Sequence, residues 1–465
     1  MKMSDFRCKM FGLKKRIKRM RFLSLLKYKR YEKLKEKRLA DLFLLSNGHK
    51  DEYGMLKRAI EEEQINKLKR KERIKVAFVL YSASMWSCDD LYNLFMKHSK
   101  FEPYVVVGKY TNDSNMKTWP TYHMTIQFFE EKGINYITVS DETPKDYGWE
   151  AMGKPDIVFY LTPYHTLLPV GINQGYLPAK VLTVYIPYSY MLIKAEEKYN
   201  VPAFQYSWRH YCDSEIYRKI LLEFSCLYER NTFFVGYPKM DVFFEPFTGR
   251  DTDLWKLDES IEKKPKKILF TPHHSLKDLQ YCSSHFSTFD KNFKFILELA
   301  RKHVSDTSWI LKPHPNLKKT VLMAGVFDTE QAYYDYLAEW EALPNAHVVQ
   351  EGSYFDYFKT SDAMICDSVS FLAEYQFTGK PLLLLTRPEQ KFNEFGALIQ
   401  EQLYKCPGDD FEEIERFLNI VVLGENDYMK EDRQRFFDEN LNYFKKNGNI
   451  KASEKIFDEI KKLVD

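Results

Sequence analysis

Cysteine is scarce, with seven residues in 465, and Cys8, Cys88, Cys212, Cys226, Cys282, Cys366 and Cys406 form no CxxC pair and are joined by no histidine cluster at zinc spacing. An odd, scattered set of this kind excludes a disulfide scaffold and predicts a reducing, cytoplasmic compartment. Glycine and proline are also few, at 18 and 19 residues, which excludes collagenous and low-complexity chains. No run of about 18 apolar residues occurs, and the first residues lack an uninterrupted apolar stretch ending in a small-residue cleavage site. Neither a spanning helix nor a signal peptide is expected, so any membrane contact is peripheral. What is present is the composition of an ordinary packed protein, 44% hydrophobic and 29% charged, of a length for about two to four domains.

The net charge of +3 conceals an uneven distribution. Residues 1–38 hold 16 Lys and Arg against three Asp and Glu, a net +13, while the rest of the chain holds 53 against 63, a net −10. An acidic body therefore carries a strongly basic arm. Within it Met10, Leu13, Ile17 and Met20, continued by Phe22, Leu23, Leu25 and Leu26, fall at helical spacing, and Lys14, Lys15, Arg16, Lys18, Arg19 and Arg21 fill the other positions. Such a helix can lie in the headgroup layer of an anionic membrane, each basic residue adding about 1 kcal/mol near the surface. A nucleic-acid arm is the rival reading, which the apolar stripe disfavours, and a stripe packed on the protein body is the third. The chain then runs on in good helix formers to Arg73, so residues 1–73 are expected to form a helical arm.

From Ile74 the pattern becomes short β-branched runs separated by helical stretches. Strands are expected at Ile74–Leu80, Tyr104–Val107, Asn135–Val139, Asp156–Tyr160, Val181–Ile186 and Thr232–Val235, then at Lys267–Thr271, Ser308–Lys312, Ala346–Val349, Asp362–Cys366 and Pro381–Leu385. The alternation predicts two parallel, doubly wound α/β domains, residues 74–246 and 247–426, joined by the polar stretch Phe247–Lys266 and facing each other across a cleft. Residues 427–465 revert to helix and are expected to pack back across both.

In open α/β sheets ligands bind beyond the carboxyl ends of the strands. In the second half those ends lead into Pro272-His273-His274-Ser275, Lys312-Pro313-His314-Pro315, Gln350-Glu351-Gly352 and Asp367-Ser368-Val369-Ser370. Imidazoles, a lysine, carboxylates and hydroxyls converge on one rim, which suits a phosphate-bearing ligand. Phe371–Tyr375 reads as a helix entered directly from a strand, so amide N–H groups beside the serines would meet a diphosphate. Asp367 or Ser368 is expected to cap that helix. His314, held between two prolines, is presented from a rigid loop. For the adjacent pair His273 and His274, one ring is expected to point away.

Lys-Pro-His-Pro at 312–315, the run from Ser361 to Ser370 continuing through Glu374-Tyr375, Gly379-Lys380-Pro381, and Val235-Gly236-Tyr237-Pro238-Lys239-Met240-Asp241 resemble the CDP-glycerol glycerophosphotransferases that make teichoic acid-like polymers. The likeness spans roughly Ile74 to residue 400. It implies a GT-B fold whose second domain binds the CDP-activated donor and whose first receives a lipid-linked or polymeric acceptor. It implies, further, that His314 and Ser370 contact the donor diphosphate, that Glu374 holds a donor hydroxyl and that Asp367 orders the loop; the strand-end reading adds Lys312, Ser368 and, after the last strand, Arg387 to the same pocket.

Two segments depart from the family. Its first-domain Trp-His-Gly, the source of the expected base, is replaced by Tyr185-Ile186-Pro187-Tyr188-Ser189-Tyr190, and its Thr-Trp-Arg by His273-His274-Ser275. Candidates for the base are His165, Tyr188, His273 and His274, with His314 also in the catalytic set. The expected reaction is attack of an acceptor hydroxyl on the distal phosphorus of CDP-glycerol with departure of CMP, for a teichoic acid-like or capsular polymer at the cytoplasmic face of the membrane. The DxD-type Asp251-Thr252-Asp253 lies in the interdomain stretch, and neither metal nor cofactor is expected. A GT-B glycosyltransferase using a nucleotide sugar is the alternative, and a non-catalytic scaffold with a degenerate first domain is a third reading.

Overall fold

The computed structural model describes residues 50–465 apart from 110–118, 176, 178–179, 195–198, 200, 225–229, 250–253, 258–263, 277–284 and 351–352. The amphipathic segment of the arm, Asp251–Asp253 and Glu351-Gly352 lie outside the described residues. Among the described residues no helix is long and apolar enough to cross a membrane.

The first sheet has seven strands: β1 (Ile74–Leu80), β2 (Phe101–Lys109), β3 (Tyr136–Ser140), β4 (Ile157–Tyr160), β5 (Leu182–Tyr185), β6 (Arg209–Cys212) and β7 (Thr232–Phe234). The second has six: β8 (Lys266–Thr271), β9 (Thr307–Leu311), β10 (Ala346–Val348), β11 (Ala363–Cys366), β12 (Leu382–Thr386) and β13 (Tyr404–Pro407). Every pairing is parallel. The orders are β3-β2-β1-β4-β5-β6-β7 and β10-β9-β8-β11-β12-β13. Both are doubly wound, with the order reversing between β1 and β4 and between β8 and β11, where such sheets bind ligands. Helices cover both faces, which is why the strands are continuous apolar runs: β1 and β9 are almost wholly buried.

Two strands carry no sequence signal. Arg-His-Tyr-Cys of β6 and Tyr-Lys-Cys-Pro of β13 contain no β-branched residue. Each is placed by its neighbours, β6 between β5 and β7 and β13 along β12, so tertiary context overrides weak propensity here. The interdomain stretch is also less loose than its polarity suggests, since Trp255 is buried and its indole N–H donates to Thr360 Oγ1 at 2.8 Å.

The halves are stitched together where a loop of the first meets one of the second. Ile193 bridges Phe392, Asn393 donates from its amide to Leu192 C=O at 2.9 Å, and its side chain donates to Met191 C=O at 2.7 Å. The C-terminal helices return to the first half. In Gly236-Tyr237-Pro238-Lys239-Met240-Asp241 the aspartate accepts from Tyr443 OH and from the amides of Ala452 and Ser453, capping the helix Ala452–Val464. Farther along that helix Glu459 accepts from Arg209 and Tyr211 of β6. Gly236 has φ +96°, and a Cβ there would stand 2.1 Å from the Tyr443 ring, so only glycine fits.

Candidate active site

The second-sheet loops meet as the strand-end rule requires. Asp367, which follows β11, is fully buried and accepts from the amides of His273 and Thr288, both at 2.5 Å, and from Thr288 Oγ1 at 2.9 Å. Burial raises its pKa to about 6, and those three donors hold it from rising further. Asp367 thus ties the loop after β8 to the segment before the helix Phe289–Lys302, and it does not cap the helix after Ser370. That helix is a single turn, Phe371–Glu374, continued by a 3-10 turn, and Ser370 makes no side-chain cap. Its dipole is therefore small, and the hydroxyl of Ser370 is left for another use.

The expectation that one of His273 and His274 turns away is overturned. The ring centroids of His273 and His274 are 4.4 Å apart, those of His274 and His314 4.1 Å, and those of His273 and His314 5.1 Å. The cause is adjacency of β8 and β9, with His314 fixed by its amide donating to Pro272 C=O at 3.1 Å. Burial drives the His273 and His314 pKa values well below the usual imidazole range and that of His274 to about 4, so the rings are neutral. One ligand atom from each lies within 4.8 Å of the others, a spacing that a metal could occupy. The tautomers oppose that use. Asn316 N–H donates to His314 Nδ1 at 3.1 Å and Ser275 N–H to His273 Nδ1 at 3.2 Å, with Ser275 Oγ at 2.6 Å from the same atom. The proton of each ring is therefore on Nε2, so two of the three present N–H donors, suited to phosphate oxygens, rather than lone pairs for a cation. Lys312, buried beside them, contributes positive charge that also depresses His314.

Glu374 is fully buried. Its Oε2 accepts from Tyr354 OH, and Lys239 Nζ stands 3.9 Å from Oε1 and 5.1 Å from the Tyr354 ring. Lys239 comes from the interdomain junction, so Glu374 faces the first half. Arg387 is committed elsewhere. Its guanidinium donates to Ser287 C=O and lies 3.1 Å from Glu389 of its own loop and 3.9 Å from Asp290 of the helix Phe289–Lys302, so its charge is met by these neighbours.

The carboxyl edge of the first sheet is rich in tyrosine. Tyr81 follows β1, Tyr164 and His165 follow β4, Tyr188 and Tyr190 follow β5, and Tyr237 follows β7. Tyr188 OH and Tyr164 OH are 3.1 Å apart, and burial raises the Tyr188 phenol well above its usual value. His165 is half-buried and its pKa is lowered by that burial. The residue after β6 is Asp213, missed because β6 has no strand signature; applied to that strand, the same end-reading would have found it.

Two doubly wound parallel sheets, with a phosphate-suited rim on the second, define an α/β protein of the GT-B class. The model of the family described as CDP-glycerol:poly(glycerophosphate) glycerophosphotransferase matches residues 188–462, more than half of the chain. The protein belongs to that family and is a transferase of glycerophosphate from CDP-glycerol, of the kind used in teichoic acid synthesis. The match starts later than the motifs suggested and takes in the C-terminal helices, including the one that Asp241 caps. Among solved structures, the chain is similar to a variant of the wall teichoic acid polymerase TagF soaked with CDPG (TM-score 0.53, 13% identity, 94% of this chain and 99% of that one). It is similar also to UDP-GlcNAc 2-epimerase from Neisseria meningitidis bound to UDP-GlcNAc (TM-score 0.53, 14% identity, 83% and 99%). Both likenesses concern the fold. A comparison with curated proteins found no match.

Proposed function

We propose that the second half holds CDP-glycerol with its diphosphate on the Nε2–H groups of His273 and His314, Lys312 and the Ser368–Ser370 loop, and that the distal phosphorus is transferred to a hydroxyl of a lipid-linked or polymeric acceptor. The observation that carries this is the neutral histidine cluster with two imidazole N–H groups fixed by Asn316 and Ser275. Positioning and charge neutralisation supply the rate, and the donor-bearing tautomers make a metal unnecessary. Glu374, beside Lys239 and Tyr354, accepts a glycerol hydroxyl. Thermal shift with a donor panel tests the reading. CDP-glycerol is expected to raise the melting temperature and to yield CMP when acceptor is added, whereas UDP- and GDP-sugars are not. Stabilisation by a UDP-sugar alone would favour a glycosyltransferase instead.

The product belongs to a wall teichoic acid-like or capsular polymer, and the enzyme works at the cytoplasmic face of the membrane, held there by residues 1–30. Their net charge of +11, 12 Lys and Arg against one Asp, and their apolar stripe support that placement. Deleting residues 1–30 should abolish co-sedimentation with anionic liposomes while CMP release from a soluble acceptor analogue persists; unchanged sedimentation would remove the arm from the account.

A further inference from the structure

Asp213 follows β6 directly, between the exits of β5 and β7, and is 1% exposed. Among the described residues, neither of its carboxylate oxygens has a hydrogen-bond partner, and the same holds for Tyr190 OH, Tyr237 OH and Glu374 Oε1. The amide and hydroxyl of Ser214 lie close enough to temper the Asp213 pKa without being aligned for a bond. Tyr190 and Tyr237 stand on the loops after β5 and β7, the two strands that flank β6. Asp213 and Glu374 both raise the pKa values of Tyr190 and Tyr237, and the two tyrosine rings meet edge to face at 5.0 Å. A buried polar atom without a partner costs about 1–3 kcal/mol, so the four on Asp213, Tyr190 and Tyr237, beside a Glu374 oxygen met only by Lys239 at 3.9 Å, call for an occupant. Two carboxylates and two phenols accept from and donate to hydroxyls, which is the chemistry of a polyol. The groups come from both halves of the molecule, so hinge opening of the kind common in two-domain enzymes admits such a ligand.

We propose that Asp213 is the catalytic base of the first half, taking the proton of the attacking hydroxyl in a polyol pocket that Tyr190, Tyr237 and Glu374 complete. This rests on the glycerophosphate-transfer reading given above. The acceptor oxygen bonds to the distal phosphorus of CDP-glycerol and the bond from that phosphorus to the bridging oxygen breaks. CMP departs with the electron pair, and the acceptor proton passes to the Asp213 carboxylate and then to solvent. The reaction needs no other reactant. Desolvation raises the Asp213 pKa to about 8, the range in which a base is both strong and substantially ionised. Its surroundings reinforce this. Tyr185, Tyr190, Tyr217, Tyr237 and Cys212 face it, with pKa values raised by burial first and by Asp213 among their neighbouring charges, and Glu374 faces the same tyrosines from the second half. On the next helix Glu215 and Arg218 pair with each other at 3.4 Å.

The test is Asp213→Asn in the full chain, measuring CMP release from CDP-glycerol with a glycerophosphate acceptor between about pH 6 and 9.5. Wild-type kcat is expected to rise with pH, reach half its limit near pH 8 and level off above about pH 9, because only the ionised carboxylate accepts the proton. In the variant kcat falls by about 10²–10⁴-fold and the rise disappears, while the KM for CDP-glycerol and its thermal shift are kept. A variant within about fivefold of wild type with the same pH profile overturns the assignment. So does a wild-type kcat that does not change across this range, a reading that needs no variant to fold. If the wild type neither binds CDP-glycerol nor releases CMP, the functional reading itself fails, an outcome distinct from failure of the Asp213 assignment.

Discussion

CMP release from CDP-glycerol should fall by about 10²–10³-fold on His314→Ala, with the melting temperature little changed. The magnitude follows from where the ring sits. His314 is a neutral imidazole whose Nδ1 is occupied by Asn316 N–H, so Nε2 carries the ring proton as a fixed donor in a desolvated rim. A preorganised donor of this type meets charge that grows in the transition state and needs no reorganisation to do so. Ser370→Ala is expected to act in the same direction, since the hydroxyl makes no side-chain cap. Purified protein with a lipid-linked glycerophosphate acceptor is the assay. Turnover of both variants within about fivefold of the parent would mean that the donor diphosphate lies elsewhere.

Asp367→Ala should destabilise the protein by about 3–5 kcal/mol, read as a shift of the denaturant midpoint at constant slope. The buried carboxylate is the common acceptor for His273 N–H, Thr288 N–H and Thr288 Oγ1, and alanine leaves these donors without a partner inside the fold. Asparagine does not repair the loss, because its NH₂ would confront one of the two amides. Activity falls as well, since the same bonds bring His273 to His314. A loss below about 0.5 kcal/mol for both variants would show that solvent reaches the loop and that Asp367 is not its anchor.

The second-half site was legible because its parts sit at predictable places. Five of its six strands are apolar runs, and the residues following β8, β9 and β11 are visible as soon as those strands are recognised. The histidine cluster was not legible, because adjacency of His273 and His274 in sequence says nothing about ring direction. Their convergence on His314 comes from the pairing of β8 with β9. Asp367 presents the opposite difficulty. A short polar residue before a helix reads as a cap, yet its acceptors are spent on Thr288, which is 79 positions away, and on His273. Arg387 likewise reads as a free cation beyond a strand end and is neutralised by Glu389 and Asp290.

The sequence by itself pointed to the fold class, since short apolar runs alternating with helical stretches predict buried parallel strands, and it carried the donor motifs at 312–315 and 361–375. It also separated the basic arm from the acidic body. The tertiary structure decided which of the candidate groups act together. Tautomers depend on which backbone amide faces Nδ1, and the pKa of a carboxylate depends on the water and donors removed by folding, neither of which local spacing encodes. Asp213 is the clearest case: β6 is a strand only because β5 and β7 hold it, and the desolvation of the residue that follows it exists only in the folded protein.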